Sequence, residues 1–352
     1  MLEFISYVFV VSFGYKEDTM IVVIGSINLD TVINVNHFPV SGETTKAISL
    51  KRNLGGKGAN QAICSARLGS ECLFINSLGN DYVGNILKEE LAKEGMILRS
   101  NQSKLPSGEA FIEVDNEGMN RIIINSGANS DLSIEFVESL SQEILKASVI
   151  LLQGEIPWET NKYIINRFSS LIPIIFDPAP ASKEMLDYID KVAYITPNES
   201  EFEELSGHEA FNNVEVLIKS AVHFQERIKT NLILKMGELG CCFVSDKEIA
   251  YVPSIAAGRV IDTTGAGDVF NAAFAHSLDI GEELSQALRI ATAASAICVT
   301  RFGAAPSIPN IGETMELIAN MKEEISWFKK KEVLRGKSFG NSKKGEKQNL
   351  RR

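Results

Sequence analysis

Short apolar runs rich in β-branched residues alternate with segments that repeat at helical spacing through most of this chain. Met20–Ile27 is a continuous apolar run, expected as a strand buried on both faces. Asn28-Leu-Asp30 follows, and Asn28 and Asp30 share one face if the strand continues. Thr31–Asn36 and Ile48–Leu54 read as further strand pieces around a turn at Phe38–Glu43. Leu54–Gln61 is a glycine turn opening a helix, with Ala59, Ala62, Ile63 and Ala66 at helical spacing and Gly69 as its stop. Cys72–Leu78 predicts a strand and Asp81–Glu94 a helix; Ser107–Asn116 and Asn120–Asn125 predict two strands around Gly118. Asp131–Lys146 predicts a helix, with Asp131 or Ser133 available as its cap.

From Ala147 the alternation becomes regular. Strands are expected at Ala147–Gln153, Pro173–Asp177, Val192–Thr196 and Asn231–Met236. Helices are expected at Trp158–Ser170, Lys183–Ile189, Glu199–Leu205 and Val214–Gln225. Cys241–Ser245 and Glu248–Val252 form a predicted hairpin, followed by helices at Gly267–Ser277, Glu282–Thr300 and Gly312–Glu323. Strands alternating with helices imply parallel pairing through right-handed crossovers. The expected fold is a three-layer, Rossmann-like α/β domain with a mainly parallel central sheet. A small β lid is inserted in two pieces, at about 31–53 and 107–126.

Composition narrows this picture. The 352 residues are 45% hydrophobic and 23% charged, an ordinary globular balance. The formal net charge is −10, yet residues 329–352 hold ten Lys/Arg against two Glu, so the rest of the chain is more acidic than the total. An acidic body argues against nucleic acid as a partner. The basic end, 326–352, has no apolar periodicity and is expected to be a disordered tail. Five cysteines with no Cys-x-x-Cys spacing argue against a disulfide framework and for a reducing, cytoplasmic compartment. The four histidines lack zinc spacing. Leu2–Tyr15 is apolar but too short to span a bilayer, which takes about 20 residues. No membrane role is expected; residues 1–19 read as an extension ahead of a working start at Met20.

Candidate chemistry concentrates in glycine turns. Asp262-Thr-Thr-Gly-Ala-Gly-Asp268 runs straight into a helix, whose first-turn N–H groups and dipole favour an anion. Asp268 there is either a dipole-favoured acid or a general base beside the anion. Gly55-Gly-Lys-Gly-Ala-Asn60 is neither a Walker A loop nor a dinucleotide fingerprint. With Lys57 and Asn60 as donors, and Asn28 and Asp30 across from them, it suits a polyol. Asn198-Glu-Ser-Glu201 is either a helix cap or a place for a water-held Mg²⁺. Glu155 ends another strand, free to bond a ligand or to face solvent.

Five motifs in order, Gly25–Asp30, Gly55–Gln61, Asp177-Pro-Ala-Pro-Ala181, Thr196–Glu201 and Asp262–Asp268, resemble the ribokinase-like (phosphofructokinase-B-type) carbohydrate kinases. The resemblance covers about residues 20–310, within a kinase domain of 20–325, and the first two motifs narrow it towards ribose. It implies ATP-dependent phosphorylation of D-ribose at O5, with Asp268 as catalytic base and Gly265, Ala266 and Gly267 as an anion hole. It implies sugar contacts from Asn28, Asp30, Gly56, Lys57, Asn60, Glu155 and Asp268. ATP contacts fall to Asn198, Lys235, Gly237, Glu238, Gly240 and Gly267, with Glu201 holding Mg²⁺ through water. Asp262, Thr264, Cys298, Arg301, Gly303 and Ser307 match a monovalent-cation (K⁺) site, and the lid implies a homodimer. Lys235 stands where threonine can occur, and Gly154 where a bulkier apolar residue is frequent. The rival readings are a kinase for deoxyribose, another sugar or a nucleoside, a non-catalytic sugar-binding regulator, and a nucleic-acid-associated protein acting through its basic end.

Overall fold

The computed structural model describes residues 19–209, 213–321 and 324–335. The apolar run Leu2–Tyr15 and the basic stretch 336–352 lie outside the described residues. The first half contains β1 (Met20–Ile24), β2 (Asn28–Asn34), β3 (Ser49–Gly55), α1 (Lys57–Arg67), β4 (Cys72–Gly79), α2 (Tyr82–Ala92), β5 (Ile97–Ser103), β6 (Gly108–Val114) and β7 (Asn120–Asn125). Then come α3 (Ile134–Ser139), α4 (Ser141–Ile144), β8 (Ala147–Gln153), α5 (Trp158–Phe168), β9 (Ile174–Asp177), β10 (Tyr194–Ile195), α6 (Glu199–Ser206) and α7 (Val214–Ile228). The chain continues through β11 (Asn231–Lys235), β12 (Cys241–Val244), β13 (Glu248–Val252), α8 (Ala266–Asp279), α9 (Leu284–Cys298), α10 (Ile311–Ala319), β14 (Ser326–Lys329) and α11 (Lys330–Leu334).

The main sheet has the order β14-β13-β12-β11-β10-β9-β8-β1-β4-β5. From β11 to β5 every neighbouring pair is parallel, and β12, β13 and β14 complete the other edge antiparallel. Strands covered on both faces need apolar residues at every position, which accounts for runs such as Ile21–Ile24. Ile21 and Val23 enter one core with α1, α8 and α9. Val22 and Ile24 enter the other with α5, α6 and α7. These are the three layers. The second sheet, β3-β2-β6-β7, joins two antiparallel pairs through a parallel β2–β6 contact. Its outermost strand leaves Ile122, Ile123 and Ile124 exposed.

Several local expectations change. The Met20–Ile27 run stops at Ile24, because the chain crosses from the main sheet into the second sheet before Asn28. β5 was invisible as a strand: it is a half-buried edge whose Arg, Ser, Asn and Gln hide the alternation. The 131–146 helix is two short helices, the first capped at Ser133, while Asp131 instead accepts a hydrogen bond from Ser103 Oγ (2.6 Å). Lys183–Ile189 forms tight 3₁₀ turns rather than an α-helix. The expected tail begins too early. Ser326–Lys329 pairs with β13, with Ile249 opposite Phe328, and Val333 of α11 is buried. The lysines at 329–331 masked a short apolar pattern within a basic stretch.

Candidate active site

α1 and α8 pack together and bring both glycine turns to the end of the parallel strands, where ligands bind in open α/β sheets. Gly265 precedes α8 with φ +79°, a left-handed conformation that glycine adopts without strain. Ala266 and Gly267 open the helix, and their N–H groups lie in the unpaired first turn. Asp268 is one residue further and is only 5% exposed, so it is no solvated first-turn acid. Its Oδ2 accepts from Asn60 Nδ2 (2.9 Å) and its Oδ1 from Gln61 Nε2 (3.1 Å). Burial pushes its pKa up to about 6; Asp177 adds to the rise, while Lys57 and the two amides oppose it.

The residues expected to face a polyol gather near it. Asn28 and Asp30 sit two apart on β2, opposite Gly55 and Asn53 of β3. A Cβ on Gly55 would lie 2.0 Å from the Asp30 carboxylate, so the carboxylate needs glycine there. Loss of water around Asp30, with Glu155 and Asp268 nearby, pushes its pKa up to about 7. Asn28 Oδ1 accepts from Asn129 Nδ2 (2.8 Å), and Asn129 also bonds the backbone N and O of Ile27. Gly56 leads into α1, whose first N–H, that of Lys57, donates to Glu155 (3.0 Å); Ser26 Oγ donates to the same carboxylate. Burial alone would lower the Lys57 pKa, but Asp268, Asp177, Glu155 and Glu201 together hold it above its ordinary value.

A cavity of about 910 Å³ is lined by Asn28, Lys57, Glu155 and Pro180. A second, of about 1140 Å³, is lined by Asn198, Lys235, Gly237, Glu238, Gly240, Gly265 and Asp268. Lys57 and Glu201 line both, so the two cavities meet at these side chains. Asn198 and Glu201 form a reciprocal capping box on α6, which is the local reading of that motif. Loss of water raises the Glu201 pKa, against the pull of Lys235. Lys235 Nζ bonds Asp177 Oδ1 at 2.9 Å and lies 3.2 Å from where a Cβ on Gly267 would stand.

Beneath the α8 turn, Asp262 accepts from Thr264 N (2.9 Å) and Oγ1 (2.7 Å) and from Gly303 N (2.9 Å). Cys298 Sγ lies 2.9 Å from Ser307 Oγ and 3.8 Å from Thr264 O. The Arg301 guanidinium turns to Glu313, so only its backbone remains for this group. Among the described residues no cluster of three or more His, Cys, Asp or Glu side chains could hold a metal ion. Sequence reasoning gave no role to Gln61, Asp177, Asn129 or Ser26. Gln61 and Asp177 stood inside quoted motifs, and the signal was a polar residue where an apolar one would pack.

Residues 18–311 match the family model described as pfkB family carbohydrate kinase. The chain is 36% identical over 315 residues to a ribokinase of Lactococcus lactis, covering 88% of this chain and 100% of that protein. It is 33% identical over 306 residues to a deoxyribokinase of Salmonella typhi, covering 85% and 98%. The ribokinase structure from Thermotoga maritima is similar with a TM-score of 0.79 and 41% identity, over 86% of this chain and 100% of that one. The ribokinase of Arabidopsis thaliana complexed with ribose and ATP gives a TM-score of 0.75 and 31% identity, over 86% and 99%. The chain belongs to the pfkB family of carbohydrate kinases.

The raised carboxylate pKa values carry a stability prediction. Asp30 has a folded pKa near 7 against 3.8 for a free carboxyl, so its ionisation destabilises the ligand-free fold as pH rises through that window. Asp30→Asn therefore raises the Tm by roughly 2–5 °C at pH 8 and by less at pH 5. Thermal melts without ligand check this; a variant that melts lower at pH 8, or gains more at pH 5, contradicts it.

Proposed function

We propose that this kinase transfers the γ-phosphoryl group of ATP to O5 of D-ribose, the ribokinase reaction. The observation that carries this is Asp268: a buried carboxylate, oriented by two amides, at a helix start on the wall of the second cavity. Asp268 takes the proton of the terminal hydroxyl as that oxygen bonds to the γ-phosphorus. The bond from the γ-phosphorus to the bridging oxygen breaks, and its electron pair leaves on ADP. Gly265, Ala266 and Gly267 offer backbone N–H groups to the charge that develops. Asn28, Asp30, Gly56, Lys57, Asn60 and Glu155 hold the sugar, whose hydroxyls supply the hydrogen bonds that these acceptors lack. Asn198, Lys235, Gly237, Glu238 and Gly240 line the ATP side.

The donors also suit the expected ions. Glu201 is a single carboxylate beside the phosphate cavity, which fits Mg²⁺ held mostly by water and phosphate oxygens. When bound, Mg²⁺ neutralises phosphate charge and K⁺ steadies the anion-hole turn. Asp262 and the carbonyls near Thr264, Cys298, Arg301, Gly303 and Ser307 offer hard oxygens suited to K⁺. A homodimer through the lid would cover Ile123, Phe111 and Leu50, exposed on one face of the second sheet, while Ile124 on the other face lines the first cavity. A cytoplasmic setting agrees with five free, buried thiols. The second reading is deoxyribose as acceptor, favoured by the deoxyribokinase relative.

Asp268→Asn is expected to keep D-ribose binding while turnover drops by roughly 10²–10⁴-fold; full activity would remove Asp268 from the chemistry. In the wild type, kcat/KM for the sugar falls with acid between about pH 7 and about 6, as Asp30 and then Asp268 take up protons. A flat profile down to pH 5 would contradict that assignment. Sedimentation of Ile123→Asp tests the lid contact: the wild type runs as a dimer and the variant as a monomer, whereas two dimers or two monomers reject it.

A further inference from the structure

Behind Asp268 lies a line of polar side chains that the phosphoryl-transfer reading leaves idle. Gln61 is fully buried on α1. Its Nε2 donates to Asp268 Oδ1 (3.1 Å) and to Asp177 Oδ2 (3.3 Å). Its Oε1 accepts from Gln153 Nε2 (2.7 Å). The two carboxylates accept only, and they settle which way the Gln61 amide faces, with its Nε2 turned to both. Gln153 and Asp177 are register partners at the ends of β8 and β9, so the sheet itself fixes their separation. Asp177 is 2% exposed, and its other oxygen accepts from Lys235 Nζ (2.9 Å). Two buried carboxylates bridged by one amide cost stability unless they have a use.

We propose that Gln61 and Asp177 are positioning residues that hold the Asp268 carboxylate in its reactive orientation, with Lys235 anchoring the far end of the line. This rests on Asp268 being the base. The line runs Lys235–Asp177–Gln61–Asp268, from the wall of the ATP cavity to the oxygen that would receive the proton. Asn60 holds the other oxygen of Asp268, so each oxygen has one fixed donor and keeps a lone pair for the sugar hydroxyl. Lys235 thereby does more than replace a threonine in the nucleotide loop. It neutralises a carboxylate one amide away from the base.

The line also adjusts basicity. The titratable and charged groups facing Asp268 are Lys57 and Cys64 from α1, Asp177 from β9, Asp30 from β2 and Cys298 from α9, with Lys235 beside Gly267. Asp177 raises the Asp268 pKa by its charge, and the Gln61 amide lowers it by donating a hydrogen bond. The two substitutions therefore have opposite signatures. Asp177→Asn removes a negative charge and moves the lower step of the acid limb to lower pH. Gln61→Met removes a donor of similar shape and moves it to higher pH.

The test is the pH profile of kcat/KM for D-ribose, with kcat and KM separated, for the full chain and the variants Asp177→Asn, Gln61→Met, Lys235→Met and Asp268→Asn. Circular dichroism and D-ribose titration report which variants fold and bind. Asp177→Asn and Gln61→Met are expected to lose roughly 10–100-fold in kcat with little change in KM for the sugar, and to shift the limb in opposite directions. Lys235→Met reaches the line from its more accessible end, leaves Asp177 without its cation, and moves the limb to higher pH even if a buried variant fails to fold. If the folded variants keep kcat within about twofold and the wild-type limb while Asp268→Asn is inactive, the positioning role is wrong and the base stands. If Asp268→Asn itself turns over normally, the base assignment fails first.

Discussion

The site depends on a charge imbalance held in place by the fold. Asp268, Asp177, Glu155 and Glu201 all act on one half-buried ammonium, that of Lys57. Loss of water, with the charges of Glu155 and Asp268 nearby, raises the proton affinity of Asp30. Like charges gathered out of water are unfavourable, and Asp268, Asp177, Glu155 and Glu201 each have a backbone N–H, an amide or a lysine fixed against them. The architecture supplies these partners from four directions. α1 brings Lys57, Asn60 and Gln61, the strand ends bring Asp177 and Lys235, the second sheet brings Asp30, and α8 brings Asp268.

This imbalance explains what kind of ligand completes the site. A polyol both donates and accepts hydrogen bonds, and the first cavity offers it the carboxylate of Glu155 beside Asn28 and Lys57. ATP brings negative charge, and the groups ready for it lie on the other side of Lys57: the α8 turn and Lys235. The two cavities differ in lining, and they share Lys57. On the wall of the second cavity, Asp268 has a pKa of about 6, which suits a group that accepts a proton and later gives it up.

Much of the fold was legible because it follows from burial. Strands covered on both faces are mostly apolar runs, as in β1, the first half of β4 and the middles of β8 and β11. β5 was not legible, since an edge strand in partial contact with water can be polar. β14 was not legible because basic residues surround its few packing positions, and the pairing with β13 is a long-range fact. The glycine turns announced the active site, since their spacing has a steric cause: the Asp30 carboxylate occupies the place a Gly55 side chain would take. The line behind the base stayed hidden. Gln61 and Asp177 lie 116 positions apart, and nothing local says that one amide will bridge two carboxylates.

The most direct test is a panel of acceptors offered with ATP and Mg²⁺, in K⁺ and in its absence, with kcat/KM measured for each. D-Ribose should lead 2-deoxyribose, other pentoses and nucleosides, its product should carry phosphate on O5, and K⁺ should raise the rate. A nucleoside or 2-deoxyribose turned over faster than D-ribose would contradict the account of the polyol pocket, and equal rates with and without K⁺ would remove the cation from it.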